Sequence, residues 1–379
     1  MARMYTVSGY GRMVADTVRR DAYCRALEAA VRPGSVVLDL GTGTGFFAVY
    51  AARLGARRVI GIDPSDAIHV ARQVVRDNGV EDRVELIQTL STRLSLPERA
   101  DVIVFDLRGV LPPLEHGVAA LADARERLLA PGGVLIPCSD VLYAAPVESA
   151  EAWENAAGPA ESRGVRLHAA QRAAVNLWTR GVFEPGQLLA PGVAWSEMDY
   201  RTLTHPDVAG APEWTVRRGG TAHGLAVWFR AQLGGGAWFD TGPGYPSLYQ
   251  TAFWPWPRPV RLAPGDRVRA ELSARLAGDD YVWSWNSEIL RQGEAPLAFR
   301  QSTFHTIVPS PSRLRKRADS FVPALGDDGR VDAYALGRMD GSATLGEIAR
   351  ELRERFPARF ATWEAALAHV GRLSDTYAE

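Results

Sequence analysis

The stretch Val36-Val37-Leu38-Asp39-Leu40-Gly41-Thr42-Gly43-Thr44-Gly45-Phe46-Phe47 decides the fold. β-Branched and aliphatic residues give way to three alternate glycines and then to an apolar helical pattern, which predicts strand, tight turn and helix in that order. Such a turn cradles a nucleotide. Glycines reach positive φ and keep Cβ atoms out of a ligand's way, and the helix that follows offers free N–H groups at its start. Upstream, Val14, Val18, Tyr23, Ala26, Leu27 and Ala30 recur at helical spacing and predict a helix over 14–31, ending at Arg32-Pro33-Gly34. Downstream, helices are expected over 46–54, 66–78 and 117–129, and strands over 58–62, 84–87 and 101–105. A turn at Ala130-Pro131-Gly132-Gly133 should then lead to extended segments over 134–137 and 141–145. Strands alternating with helices predict a parallel, doubly wound sheet, because each parallel return needs a crossover.

Composition narrows the class. Of 379 residues 46% are apolar and 23% charged, ordinary for a globular chain of two or three domains. The formal charge of −1 gives no field that favours nucleic acid or an anionic membrane. Lys316 is the single lysine, the other basic residues all being arginine. Cys24 and Cys138 make neither a disulfide framework nor a metal pair, which fits a reducing cytoplasm, and no metal site is expected. No window resembles a signal peptide or a membrane span.

The pattern changes near residue 146. Tryptophans multiply (Trp178, Trp195, Trp214, Trp228, Trp238, Trp254, Trp256, Trp283, Trp285) in short runs separated by Gly and Pro, which predicts an antiparallel β domain over 146–308. Pro, Ser and Arg cluster over 309–320 as a linker. Residues 321–379 read as a small helical domain, with helices over 331–338, 345–356 and 363–374 and a capping box at Thr344 and Glu347.

The cradle favours one class of nucleotide. Phe46 stands where a dinucleotide motif would place its third glycine, and Asp39 at the strand end would repel a pyrophosphate. A carboxylate there suits a ligand with positive charge near the turn. Asp63, in Ile60-Gly61-Ile62-Asp63, is placed to accept ribose hydroxyls. The segment Pro131-Gly132-Gly133-Val134-Leu135 resembles the turn before the last strands of S-adenosylmethionine (SAM) methyltransferases. Together these residues favour SAM, with S-adenosylhomocysteine as product, over NAD.

A closer resemblance covers residues 5–300. Tyr10-x-x-Met13-x-x-Asp16-x-x-Arg19-x-x-x-Tyr23, the glycine stretch, and Gly55-Ala56-Arg57-Arg58-Val59-Ile60-Gly61-Ile62-Asp63 resemble the protein arginine methyltransferases. The resemblance implies a Rossmann-like SAM domain over 1–145, a β-barrel domain with a helical dimerisation arm over about 148–185, and a homodimer. It implies Arg19 on the SAM carboxylate, Met13 near the sulfonium, Asp39 and Gly41 at the amino-acid part and Asp63 at the ribose, with Gly43, Gly45 and Pro64 also among the cofactor-binding residues. The family's two-acid substrate loop matches Asp106 to Glu115 at its ends. That pair has a chemical reason: a guanidinium is always charged and its lone pairs are delocalised, so two carboxylates must grip it and localise its charge.

Three departures from the family stand out. Asp106 is one methylene shorter than the family's glutamate, which leaves arginine, an amine or another nucleophile open as acceptor. Thr92 replaces an acid at the adenine, leaving Leu90 and Ser91 to contact it through backbone. Ser247-Leu248-Tyr249 replaces a loop that carries a histidine, and His223 reads as a core residue. The tail from Asp332 to Arg350 resembles the helical half of PQQ-type peptide chaperones, whose winged-helix unit binds a leader peptide at a sheet edge. The sequence thus points to methyl transfer to a nitrogen of a peptide or protein, in modified ribosomal-peptide biosynthesis. A small-molecule or carboxyl O-methyltransferase and a non-catalytic SAM-fold binding protein are the alternatives.

Overall fold

The structure, a computed structural model, describes residues 7–306 and 310–378; residues 1–6, 307–309 and 379 lie outside it, among them the first two of the resembling segment and Pro309 of the linker. The chain divides into two compact units, one up to residue 307 and one from residue 308.

The first unit opens with α1 (Val7–Ala15) and α2 (Thr17–Ala30), where the periodicity predicts one helix. Asp16 makes the break: its backbone is extended at ψ 91°, and its Oδ1 accepts from the Arg19 N–H at 3.1 Å. A short acid serves better as an N-cap than inside a helix, where its side chain competes for the backbone. That cap also fixes Arg19 in the first turn of α2.

Five parallel strands follow: β1 (Val36–Leu40), β2 (Arg58–Ile62), β3 (Val84–Ile87), β4 (Ala100–Phe105) and β5 (Leu129–Ile136), ordered β3-β2-β1-β4-β5. The connecting helices are α3 (Phe46–Arg53), α4 (Ala67–Asp77) and α5 (Gly117–Leu128). Every residue of β1 is buried, Asp39 included, as a strand covered on both faces of the sheet requires. The strand order reverses at β1 and β4, and in open α/β sheets the crevice at that point, beyond the carboxyl ends, is where ligands bind. Gly41, Asp63 and Asp106 each follow the last residue of β1, β2 and β4 and are delivered to that edge. The turn expected at 130–133 lies inside the bounds of β5. There the register passes from Ala100 opposite Leu129 to Val102 opposite Val134, so these four residues bulge from the pairing, with Gly132 at φ 77°.

β6 (Ser139–Val147) starts the antiparallel part, between Val193–Asp199 and the long strand Gly220–Gly234, which pairs in turn with Thr251–Leu262. A second sheet is built on Arg267–Ala277 and Asp280–Leu290, the latter burying alternate residues. Three buried tryptophans pack between the two sheets: Trp254 lies 5.4 Å from Trp285 and 5.5 Å from Trp283, ring centroid to centroid. His223 is buried and accepts the Ser149 N–H at Nδ1, 3.1 Å away, and burial lowers its pKa. It is a satisfied core histidine. The stretch expected as an arm holds α6 (Ala150–Ala157), a short hairpin of Glu161–Ser162 with Val165–Arg166, and α7 (His168–Ala174), which buries no residue.

The second unit is helical: a short Pro311–Arg315 turn within the expected linker, then Asp327–Gly337, Leu345–Arg355 and Trp363–Tyr377. Its own core joins Val331, Ile348, Leu352, Phe360, Val370 and Leu373. The capping box is present, Thr344 Oγ1 accepting the Glu347 N–H at 3.3 Å while Glu347 Oε2 accepts the Thr344 N–H at 2.8 Å. The winged-helix expectation is corrected here. No strand occurs among the described residues of this unit, so it presents no sheet edge for a leader peptide to extend.

Candidate active site

At the carboxyl end of the parallel sheet a cavity of about 110 Å³ is closed over by α1. Among its lining residues are Met13 and Arg19 from the N-terminal helices, Asp39, Gly41 and Gly43 from the cradle, and Asp63 and Asp106 from the ends of β2 and β4. Seven of the twelve site residues expected from sequence therefore share one cavity. Gly45, Pro64, Leu90, Ser91 and Glu115 are not part of its wall.

The cradle is shaped by missing side chains. Gly41 has φ 80°, and a Cβ on it would stand 2.7 Å from Leu107 Cδ2; a Cβ on Gly43, at φ 53°, would run into the Tyr10 ring. These glycines keep a narrow space open. Gly45 differs: its absent Cβ makes room for Ala71 of α4, 3.2 Å away, so its part is helix packing.

Asp39 is buried, and its Oδ2 accepts the Thr42 hydroxyl at 2.6 Å. Burial pushes its pKa up to about 7, opposed by the Thr42 bond and a backbone N–H from Ala48. A buried acid poised there gains from a cation brought beside it. Asp63 accepts the Gly43 N–H at 2.9 Å, the Ser65 N–H at 2.9 Å and the Ser65 hydroxyl at 2.6 Å. A carboxylate has about four acceptor positions, so roughly one remains for a ligand hydroxyl.

Arg19 is almost wholly buried and stacks over Tyr23 and Phe47, 5.2 and 5.4 Å from the ring centres. It donates from Nε to Asp106 Oδ2 at 2.6 Å and from Nη1 to the Met13 carbonyl at 3.1 Å, and it pairs through Nη2 with the same Asp106 oxygen. A guanidinium has five N–H donors, so two are left for a ligand carboxylate. Burial works against its charge, but Asp106 outweighs this and holds the group protonated.

Asp106 is surrounded. Besides Arg19 it receives Arg108 Nε at 3.1 Å and the Tyr249 hydroxyl, 2.6 Å from either oxygen. Burial would raise its pKa, yet Arg19 and Arg108 together hold it below the usual carboxylate value. Arg108 runs on to Asp140 on β6, with Nη1 2.9 Å from Oδ1, and Asp140 accepts the Tyr200 hydroxyl at 2.6 Å. Burial lifts Asp140 to about 6, with Arg108 and Tyr200 opposing, so it stays ionised at neutral pH. Glu115 is apart from this cluster. It is half-buried, has φ 43°, and makes no hydrogen bond or ion pair among the described residues.

Beyond Asp63 the edge is less enclosed. Leu90 is 46% exposed, Ser91 is buried, and the Ser91 carbonyl already accepts Arg127 Nη2 at 2.8 Å. Arg108 and Tyr249 are the site residues that the sequence reading did not single out. Their signals were faint: Arg108 follows Asp106 by two positions, and Tyr249 sits in the segment that replaces the histidine loop.

No group of acids, histidines or cysteines among the described residues could hold a metal ion. The donor set does fit SAM: two spare guanidinium N–H groups, a buried acid for a cationic part, a cradle that a Cβ would fill, and a ribose acid.

Comparison with known proteins places the chain among methyltransferase relatives. Residues 22–143 match the family described as ribosomal protein L11 methyltransferase (PrmA). Protein arginine N-methyltransferase 6 of Xenopus tropicalis is 29% identical over 250 residues, covering 60% of this chain and 71% of that protein. The probable protein arginine N-methyltransferase 6 of Arabidopsis thaliana is 29% identical over 237 residues, 59% of this chain and 54% of the relative. Among solved structures, Arabidopsis thaliana protein arginine methyltransferase 10 aligns with a TM-score of 0.70 at 22% identity, covering 78% of this chain and 97% of its own. The Trypanosoma brucei PRMT1 enzyme-prozyme heterotetrameric complex with AdoHcy aligns with a TM-score of 0.71 at 22% identity, covering 77% and 97%. The chain is a homologue of the protein arginine N-methyltransferases and carries the fold of a SAM-dependent methyltransferase.

Proposed function

We propose that this protein transfers a methyl group from SAM to a nitrogen of a peptide or protein. The observation that carries the reading is the convergence of Arg19, Asp39, the Gly41–Gly43 cradle and Asp63 on one cavity at the switch point of the sheet. When bound, SAM supplies an electrophilic methyl: the N–C bond forms as the S–C bond breaks, sulfur keeps the electron pair, and the nitrogen sheds a proton to water. The chain's own residues do the rest. Arg19 fixes a carboxylate, Asp39 favours positive charge near the turn, Asp63 takes ribose, and α1 lines the cavity and helps to orient what it holds. Pro64, Leu90 and Ser91 extend the ligand site towards the adenine end. Glu115 is the acid of the substrate loop whose carboxylate has no hydrogen bond or ion pair among the described residues, and it is the acid left open to an acceptor nitrogen.

The substrate reading is finer. A peptide made in ribosomal natural-product biosynthesis fits a chain whose helical unit has a separate core and leaves Val322 and Leu325 exposed for recognition. Recognition there would run over helices and the irregular stretch that precedes Asp327–Gly337, since a strand edge is lacking among the described residues. A homodimer, joined through the 148–185 region, is supported by the exposure of Leu177 (49%) and Val182 (74%) near α7, a helix that buries no residue. Its place is the cytoplasm, consistent with two free cysteines.

Calorimetric titration with SAM and S-adenosylhomocysteine, followed by mass spectrometry of candidate peptides, tests the proposal. Binding of both with a mass gain of one methyl supports it; failure to bind either would sink it. Removing residues 321–379 tests the recognition role, and equal methylation of a leader-bearing peptide without them would refute that part.

A further inference from the structure

The loop that brings Asp106 to the cavity also carries Arg108, whose side chain is 1% exposed. A guanidinium so deeply buried needs partners on every side, and this one has them. Asp106 lies on one side, and Asp140 on another at 2.9 and 3.2 Å from Nη1. Nη2 donates to the Tyr23 hydroxyl, and Cζ lies 5.4 Å from the ring centres of Phe229 and Phe239. Two carboxylates and a set of aromatic faces are what recognition of a guanidinium ligand requires. Here the protein fills that cage with its own side chain.

We propose that Arg108 is a specificity-determining residue: an internal guanidinium that uses up the acid beside the cavity and turns the acceptor site from a charged guanidinium towards an uncharged nitrogen. The inference rests on the methyl-transfer reading above. Its first support is saturation. Asp106 offers about four acceptor positions, and Arg19 Nε, Arg19 Nη2, Arg108 Nε and the Tyr249 hydroxyl address them. A guanidinium acceptor would have to displace one of these donors before it could be gripped. The second support is charge. Arg19 and Arg108 balance Asp106 and Asp140, so this buried cluster is neutral and does not attract a cation, least of all beside a cationic methyl donor. An uncharged nitrogen brings a lone pair without that cost.

Three short peptides of otherwise identical sequence, bearing arginine, histidine or asparagine at the central position, distinguish the outcomes when offered with SAM to the full chain. Wild type is expected to methylate the histidine or asparagine peptide at least tenfold faster than the arginine peptide. Arg108→Met should move that ratio at least tenfold towards arginine, and Arg108→Lys, which keeps the charge, should leave it nearly as it was. Arginine as the preferred acceptor of wild type overturns the inference, as does an Arg108→Met variant that slows all three peptides equally.

Where Arg108→Met fails to fold, or wild type accepts none of the three peptides, a second arm decides. Methylguanidinium at millimolar concentration should raise the melting temperature of Arg108→Gly by several degrees and leave wild type unmoved; no difference between the two overturns the cage. Calorimetry with SAM on wild type separates the failures. No SAM binding defeats the methyl-transfer reading, whereas SAM binding with the wrong acceptor preference defeats only the role given to Arg108.

Discussion

The two ends of one cavity are built on opposite principles. At the cradle end, polar groups are left with capacity to spare: Arg19 keeps two N–H donors, Asp63 keeps about one acceptor position, and Asp39 is held near half-ionisation by burial. At the Asp106 end, Arg19, Arg108 and Tyr249 take the carboxylate from three directions, and Asp140 and Tyr200 complete the network behind it. Spare capacity marks a ligand site; closed capacity marks structure that constrains a ligand without holding it. The difference teaches that a chain can carry every residue for the donor and still have rebuilt what faces the acceptor.

The largest test of this contrast is at the closed end. Arg108→Leu leaves Asp140 buried with its main partner gone and takes one donor from Asp106, and breaking a buried pair in this way costs about 3–5 kcal/mol. Thermal and denaturant unfolding should show that loss in the first unit. A midpoint within a degree or two of wild type would mean the network is not closed as described.

At the open end the effect should reach the ligand as well as the fold. Asp63→Ala is expected to weaken SAM by about 1–3 kcal/mol, the cost of leaving a buried polar group unmatched, and also to lower the melting temperature of the free protein, because the Gly43 and Ser65 N–H groups lose their acceptor. Unchanged affinity by calorimetry would remove Asp63 from the ribose.

Asp39 makes a pH prediction. Its pKa is raised by burial to about 7, so in the free protein its ionised form is disfavoured, and its contribution to stability declines as pH rises from about 4 to about 7. A ligand with positive charge needs the ionised form. SAM affinity should therefore climb with pH up to about 7, by at most tenfold (about 1.4 kcal/mol) per pH unit, and level off above it. Asp39→Asn should bind weakly and show a flat profile; a wild-type profile that is flat between pH 6 and 8 breaks the assignment.

The same contrast explains what the sequence could and could not disclose. The cradle was legible because its determinants are local: the aliphatic run of β1, the alternate glycines and Asp39 are contiguous, and Asp63 ends the next strand. The strand bounds of β2 and β3 follow directly from their β-branched runs. The break at Asp16 was hidden, because one residue's capping bond overrode an apolar period that continues across it. The bulge at 130–133 depends on register with β4, which no local pattern records. The closed network is the extreme case. Asp106 meets Asp140 through Arg108, and Tyr249 arrives from 143 residues away. A buried arginine on a loop reads in sequence as a surface charge, and only the fold shows the two acids and three rings that enclose it.

Glu115 offers the smallest free-energy change and the sharpest functional one. It is one of three non-glycine residues at positive φ among those described, with no hydrogen bond or ion pair to show for that conformation. Such backbone costs about 1–3 kcal/mol for an ordinary side chain, and glycine would relieve it while giving some back as unfolded-chain entropy. Glu115→Gly should therefore be as stable as wild type or better by up to about 1 kcal/mol. If the carboxylate faces the acceptor, this variant binds SAM normally and loses methyl transfer, a gain in stability coupled to a loss of function. If the position is only a turn, stability rises and turnover is untouched, and the acceptor side would then present no open carboxylate from this loop at all.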